Sequence, residues 1–391
     1  MPAVYAFAII LAMFALGEIV ATKTKAIIST VFVVVVLLMI GFWLGLPPTL
    51  LQDSGVTGLM MIVFAATIIG VGSSFDFMTL FKQWKTVIIA LVGALSGVIL
   101  IWVVGTYVMP HGQYQAFAAG SIFAGTQVAI LMFTQAFTEN NMPYLIPFLI
   151  LVFATDNLVG IPVCSFLLRR EAKTFLLDKE KVAHYANVTA EKEKPKKRLI
   201  TVPAVFDKPS GIFARIMMVA ALSWWLAGLT NGRVHFLVVS LILGVVFGEL
   251  GFLPNDALPK TQSYLLVVFI VTVVIFGALA DTTPSMILGM LLPLGITLGL
   301  GFIGVLLGSL ILGKILKVSP WMAMGMGVSC SFGMPTTFII PKEVAAELGQ
   351  SEEETRAIEN YLIPNMVTAG FVSVTIASVF IAQFAVNFLF A

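Results

Sequence analysis

Charge is scarce in this sequence. Only 11% of its 391 residues are Asp, Glu, Lys or Arg, while 59% are hydrophobic and the mean hydropathy is +1.03. Soluble globular domains carry roughly a quarter charged residues, so that class is excluded and a polytopic membrane protein remains. Cysteine and histidine are scarcer still. Cys164 and Cys330 sit in apolar runs with no CxxC or Cys/His spacing, which points to buried thiols rather than a disulfide or a metal site. His111, His184 and His235 fall in loops or at a helix boundary and form no ligand cluster. HExxH is missing, as are paired Tyr-Asp and Gly-x-Gly-Asp motifs, so the chain is read as no intramembrane protease and no enzyme. The expected partners are membrane lipid and a small solute, with no nucleic acid among them.

What is present is apolar sequence in long runs. A transmembrane helix needs roughly 20 apolar residues, and such runs lie at 3–21, 27–46, 57–74, 86–109 and 143–168, then at 211–229, 235–253, 263–280, 286–313 and 362–390. The first has no basic residue before it and Lys23 and Lys25 after it, the reverse of a secretory signal, so a retained helix with its start outside is expected. Two further stretches, 116–137 and 320–341, are broken by small and polar residues, as in "AAGSIFAGTQVAILMF" and "GMGVSCSFGMPTTFII". If both crossed the membrane, Arg169, Arg170 and "EKEKPKKR" would fall outside while Lys23, Lys25, Lys82 and Lys85 stayed inside. If both are re-entrant hairpins, every Lys and Arg except Arg233 lies on or near the cytoplasmic side.

The second arrangement predicts an all-α protein of ten transmembrane helices in two inverted five-helix repeats, with both termini outside. Residues 1–170 form the first repeat with its hairpin at 116–142, and residues 211–391 the second with its hairpin at 320–341. The closing helices share "YLIP" at Tyr144–Pro147 and Tyr361–Pro364, as an inverted repeat would. Residues 171–210 read as a solvated cytoplasmic linker, with an anionic-lipid or regulatory contact as the alternative.

Irregular backbone at membrane depth must be buried in protein or line a cavity, and broken helices in opposed repeats point to a transport site. The tips are Gly125, Thr126 and Gln127 in one half and Gly333, Met334, Pro335, Thr336 and Thr337 in the other. Pro335 suits a first helical turn, which would aim two helix N-termini at the midplane. Free N–H groups and dipole there favour an anion, and no Lys or Arg stands mid-span to replace them. The expected cargo is therefore a small carboxylate, with Asn365 orienting its remaining polar group. Close helix packing is the plainer reading of the same small residues.

One carboxylate lies deep in an apolar run, "FLILVFATDNLVGIPV", where charge is costly and marks function by default. Thr155, Asp156 and Asn157, with Ser331 in the second hairpin, offer oxygen ligands for a hard cation such as sodium. Proton carriage by Asp156 is the rival chemistry, and a hydrogen-bonded structural role the plainer one. In the other half Asn365, Thr368 and Ser373 supply polarity without charge.

The stretch "FAATIIGVGSSFDFMTLFKQWKTVIIALVGALSGVILIWVVG" with "AAGSIFAGTQVA" resembles the first half of the bacterial sodium/glutamate symporter family. Similarly, "AMGMGVSCSFGMPTTFIIPKEVAAELG" with "YLIPNMVTAGFVSVTIASVF" resembles its second hairpin and closing helix. The likeness implies a sodium-coupled symporter of the bacterial inner membrane, carrying glutamate or a related carboxylate as a homodimer by an elevator-like movement. The family's first hairpin carries Gly-Gly-His-Gly-Thr, where this chain has Gly125 and Thr126 after Ala124. Its Gly-Ala-Thr-Pro-Thr is partly echoed by Gly333, Pro335 and Thr336. An acidic residue of its last helix falls about where Ser373 stands.

Overall fold

The computed structural model describes residues 1–24, 28–74, 77–125, 127–187, 199–200, 202–230, 234–276, 279–280, 282–333 and 336–390. Among these, helices follow one another with no strand between them. In the first half they are α1 (Ala3–Lys23), α2 (Thr30–Trp43), α3 (Leu50–Asp53), α4 (Met60–Ser73), α5 (Phe77–Lys82), α6 (Trp84–Val108), α7 (Gly112–Phe123), α8 (Gln127–Glu139) and α9 (Ile146–Leu176). Then come α10 (Lys179–Ala186), α11 (Pro209–Gly228), α12 (Phe236–Leu250), α13 (Tyr264–Phe276), α14 (Pro284–Ile315), α15 (Pro320–Val328), α16 (Thr336–Leu348), α17 (Glu352–Phe371) and α18 (Ser378–Phe390). Among the described residues, six helical stretches are long and apolar enough to cross a membrane: Ala3–Lys23, Trp84–Val108, Pro143–Leu176, Pro209–Gly228, Pro284–Ile315 and Glu352–Phe390. The chain is thus an all-α membrane protein. Large apolar side chains such as Leu44, Tyr107 and Leu292 stand on its outer surface, as they do where lipid is the solvent.

Lipid tails are as apolar as leucine, so helices in a bilayer associate where small residues let backbones close in. The longest crossing, α6 on α14, is of this kind. A Cβ added to Gly97 would sit 2.9 Å from the Gly301 carbonyl oxygen, and one on Gly304 2.8 Å from the Gly97 Cα. The α4–α12 crossing repeats the device, with a Cβ on Gly72 falling 2.9 Å from the Gly244 Cα.

Packing sorts the helices into two groups. α1, α2, α4, α11, α12 and α13 pack among themselves, and α6–α10 with α14–α18 form the other body. Rings of Phe7 and Phe14 on α1 meet Phe269 on α13 at 5.3 and 4.8 Å. The two bodies meet mainly where α2 touches α9, α12 touches α18 and α13 touches α8. His235 at the start of α12 adds a polar link there, its backbone N–H donating to Gln383 Oε1 at 2.7 Å.

Two hairpins lie inside the second body. At 1.5 Å per residue, the arms α7 and α8 are about 18–20 Å long. The base of this hairpin closes where His111 meets the Tyr144 ring at 5.2 Å. α15 and α16 form the other, whose base closes at the opposite end of α9. There Glu171 accepts hydrogen bonds from the hydroxyls of Ser319 and Tyr361, the latter at 2.7 Å. Lys85 at the start of α6 donates to the Leu316 carbonyl beyond α14 at 3.2 Å, so the basic residues Lys85, Lys314 and Arg169 share that end.

Some boundaries differ from those the composition suggests. The second hairpin's return arm continues past 341 to Leu348, through Pro341, and the closing helix starts at Glu352 rather than near 362. Part of the expected linker is built into the second body: α9 runs on to Leu176, and Tyr185 of α10 packs against Tyr361 and Phe175 at 5.2 and 5.7 Å. Asn360 Nδ2 donates to the Tyr185 carbonyl at 2.9 Å. The rest of that segment, 188–198, lies outside the described residues, as do Asp76, Arg233 and Asp281.

Candidate functional site

The site is built on the middle of α9. Its run of buried apolar residues from Leu149 to Val152 is interrupted by Asp156, which is 3% exposed. Thr155 Oγ1 donates back to the Leu151 carbonyl at 2.6 Å, the usual way a hydroxyl is settled in a helix. Asp156 Oδ1 and Asn157 Oδ1 are buried and have no hydrogen-bond partner among the described residues. A buried polar atom of that kind is costly and calls for an occupant.

One turn beyond Asp156, Gly160 brings α9 onto the second hairpin. A Cβ placed there would lie 2.1 Å from Ser331 Oγ and 3.2 Å from its Cβ, so a larger residue would make the Ser331 hydroxyl turn away and the two segments part slightly. Ser331 ends a 3₁₀ turn, Ser329–Ser331, and its hydroxyl donates to the Val328 carbonyl at 3.0 Å. Cys330 in the same turn is fully buried.

The other side of this tip rests on the closing helix. Gly333 has φ +55°, a left-handed conformation that favours glycine, and a Cβ on it would meet Val374 Cγ1 at 3.0 Å. Val374 belongs to a π-helical turn, Val372–Ala377, a distortion frequent at functional sites. Ser373 in that turn is buried and donates to the Ala369 carbonyl at 2.8 Å; it stands as far beyond Tyr361 as Asp156 stands beyond Tyr144. Thr337, in the first turn of α16, packs on Gly370, and its buried Oγ1 has no partner among the described residues. The Gly333 carbonyl accepts from Thr337 N at 3.1 Å, tying the left-handed residue to the start of α16. Pro162 and Pro341 lie inside α9 and α16 and have no N–H to donate to the Leu158 and Thr337 carbonyls one turn earlier.

The structure therefore sets α9 against Ser331 of the second tip through Gly160, one turn beyond Asp156 and Asn157, and holds Gly333 and Thr337 of the same tip against the closing helix at Val374 and Gly370, with Thr336 opening α16. Thr126 and Pro335 lie outside the described residues, and of Gln127 only the backbone at the start of α8 is described. Gly125 is bound into its own hairpin: its N–H donates to the Ile122 carbonyl at 2.9 Å, and a Cβ there would meet Ser121 and Ala129. Asn365 is engaged elsewhere. Its Oδ1 accepts from Thr86 Oγ1 at 2.8 Å and its Nδ2 donates to the Tyr361 carbonyl at 2.8 Å, so it clamps α17 to α6. Gly160 and Gly370 are residues that chemistry-bearing motifs do not single out. The one signal for Gly160 was its place a helical turn beyond Asp156.

No protein-family model and no curated protein matches the chain.

Proposed function

We propose that the chain is a secondary active transporter that couples sodium to the movement of a small carboxylate, an amino acid such as glutamate or a dicarboxylate. The observation that carries this reading is the set of buried oxygens without a hydrogen-bond partner among the described residues, beside a broken hairpin: Asp156 Oδ1, Asn157 Oδ1 and Thr337 Oγ1. A proton would serve Asp156 alone. A hard cation takes several oxygens at once.

The anion half of the reading rests on the start of α16, where Thr336 and Thr337 and the positive end of a helix dipole adjoin the cation ligands. Hairpins opening at opposite ends of the second body favour ten spans in two inverted repeats, with α2, α4, α12 and α13 as the shorter spans. Sparse seams between the two bodies favour movement of the hairpin-bearing body against the other, as in an elevator. The homodimer, the bacterial inner membrane and external termini complete the proposal from the resemblance and from the Lys/Arg distribution.

A thermal-shift screen of the purified protein tests it, with amino acids, dicarboxylates and hydroxy acids each measured in sodium and in choline. A sodium-dependent carboxylate hit that also accumulates in liposomes under a sodium gradient supports the proposal. A neutral or cationic cargo, or accumulation indifferent to sodium, refutes it.

A further inference from the structure

A groove of about 720 Å³ runs between α9 and α16, lined by Ile161, Pro162, Ser165 and Arg169 on one wall and Ile340, Glu343, Ala346 and Glu347 on the other. Its outer end lies at the basic face of the second body. There Arg169 Nη2 meets Glu347 Oε2 at 2.7 Å, both side chains being half exposed. Arg170 lies over the Phe166 ring at 5.4 Å, and Trp321 packs edge-on to that ring at 6.4 Å, an aromatic and basic belt of the type found at a membrane surface. From Arg169 down to Ile161 the helix descends about 12 Å, close to half the hydrocarbon thickness. Ile161 adjoins Gly160, the residue in contact with Ser331.

The geometry points to this groove as the cytoplasmic access path of the cation, with the Arg169–Glu347 pair as the closure at its mouth. The inference rests on the cation site proposed above. The lining carries two carboxylates, Glu343 and Glu347, against one guanidinium, so a cation is favoured over an anion. Glu343 and Glu347 stand one turn apart on α16, giving a descending cation two successive carboxylates. An exposed pair such as Arg169–Glu347 is held weakly, as a closure that opens on every cycle must be.

The test is thiol labelling in inverted and right-side-out membrane vesicles, using Ser165→Cys with Cys164→Ala and Cys330→Ala. A cationic and an anionic methanethiosulfonate, both membrane-impermeant, are compared. The expected result is labelling from the cytoplasmic side only, several-fold faster with the cationic reagent after correction for a free thiol. Glu343→Gln with Glu347→Gln removes that preference, and Glu347→Gln alone speeds the reaction. Ala346→Cys on the facing wall provides the same readout if Ser165→Cys fails to insert. Failure of both cysteines to label in either orientation, or equal rates for the two reagents, overturns the access path. Neither readout needs transport or sodium binding, so this inference and the site at Asp156 can fail separately.

Discussion

Replacing Gly160 with alanine probes the contact on which the site depends. The new methyl would lie 2.1 Å from Ser331 Oγ and 3.2 Å from Ser331 Cβ. The hydroxyl must rotate away and α9 must separate slightly from the 3₁₀ turn. Overpacking of this kind costs about 1–3 kcal/mol, but the consequence for function is distinct from that cost. In the proposed site Ser331 is one of the sodium ligands, so shifting it relative to α9 would remove or lengthen one ligand bond, for which a hydrogen bond to a charged group gives the scale, about 1.5–3 kcal/mol. Sodium affinity then falls roughly ten- to a hundredfold. Because ligand stabilisation is RT ln(1 + [L]/Kd), the sodium-induced stabilisation at a fixed saturating concentration shrinks by about 1.4–2.7 kcal/mol. The assay is thermal unfolding in sodium against choline. Gly299→Ala on α14, where a Cβ meets nothing within 4 Å, is the control and keeps the full sodium response. Adding Ser331→Ala to Gly160→Ala removes the closest clash and recovers part of the melting temperature without restoring the response. If Gly160→Ala melts lower yet responds to sodium like the unmodified protein, the contact is packing alone and the reasoning fails.

Three further outcomes follow from the same geometry. Glu171 is 3% exposed and accepts from Ser319 and Tyr361, so Glu171→Ala, which strands both hydroxyls, lowers stability by about 1.5–3 kcal/mol in thermal unfolding, and Tyr361→Phe by less. Thr336→Ala and Thr337→Ala each weaken apparent carboxylate affinity roughly tenfold or more in the uptake assay, with near-normal expression; unchanged affinity in both removes the start of α16 from the cargo site. A cysteine at Asn140, at the base of the first hairpin, labels from outside in a background without Cys164 and Cys330, and label reaching it only from the cytoplasm removes the opposed-hairpin topology.

Much of the helical frame was legible because long apolar runs in a charge-poor chain leave few alternatives: α6, α9 and α14 fall where hydropathy puts them. Breaks at Gly125 and Gly333 were legible for the complementary reason, since glycine and polar residues interrupt an otherwise apolar run. Other features depend on distant partners. Asn365 looks like a free ligand in sequence, yet Thr86 on α6 occupies its carbonyl oxygen. The segment from Glu171 to Ala186 reads as a solvated linker from its mixed charges, whereas Phe175 and Tyr185 stack it onto Tyr361. The early start of the closing helix had a local signal that hydropathy overrides: Ser351 caps it by accepting from Glu354 N at 3.1 Å, an S-x-x-E pattern. The π-turn at Val372–Ala377 has no comparable signature, because its apolar and hydroxyl residues also suit an ordinary helix.

The proposed sodium site at Asp156 is open to direct measurement. The most direct measurement is equilibrium binding of radioactive sodium to the purified, detergent-solubilised protein and to Asp156→Asn, with both shown folded by size-exclusion chromatography. Asparagine keeps the shape of the side chain and removes its charge, the dominant attraction for a cation in a site of low dielectric. Saturable binding to the unmodified protein and none to Asp156→Asn over the same concentration range is the expected result. Equal binding by the two proteins would contradict it, as would the absence of saturable sodium binding in either.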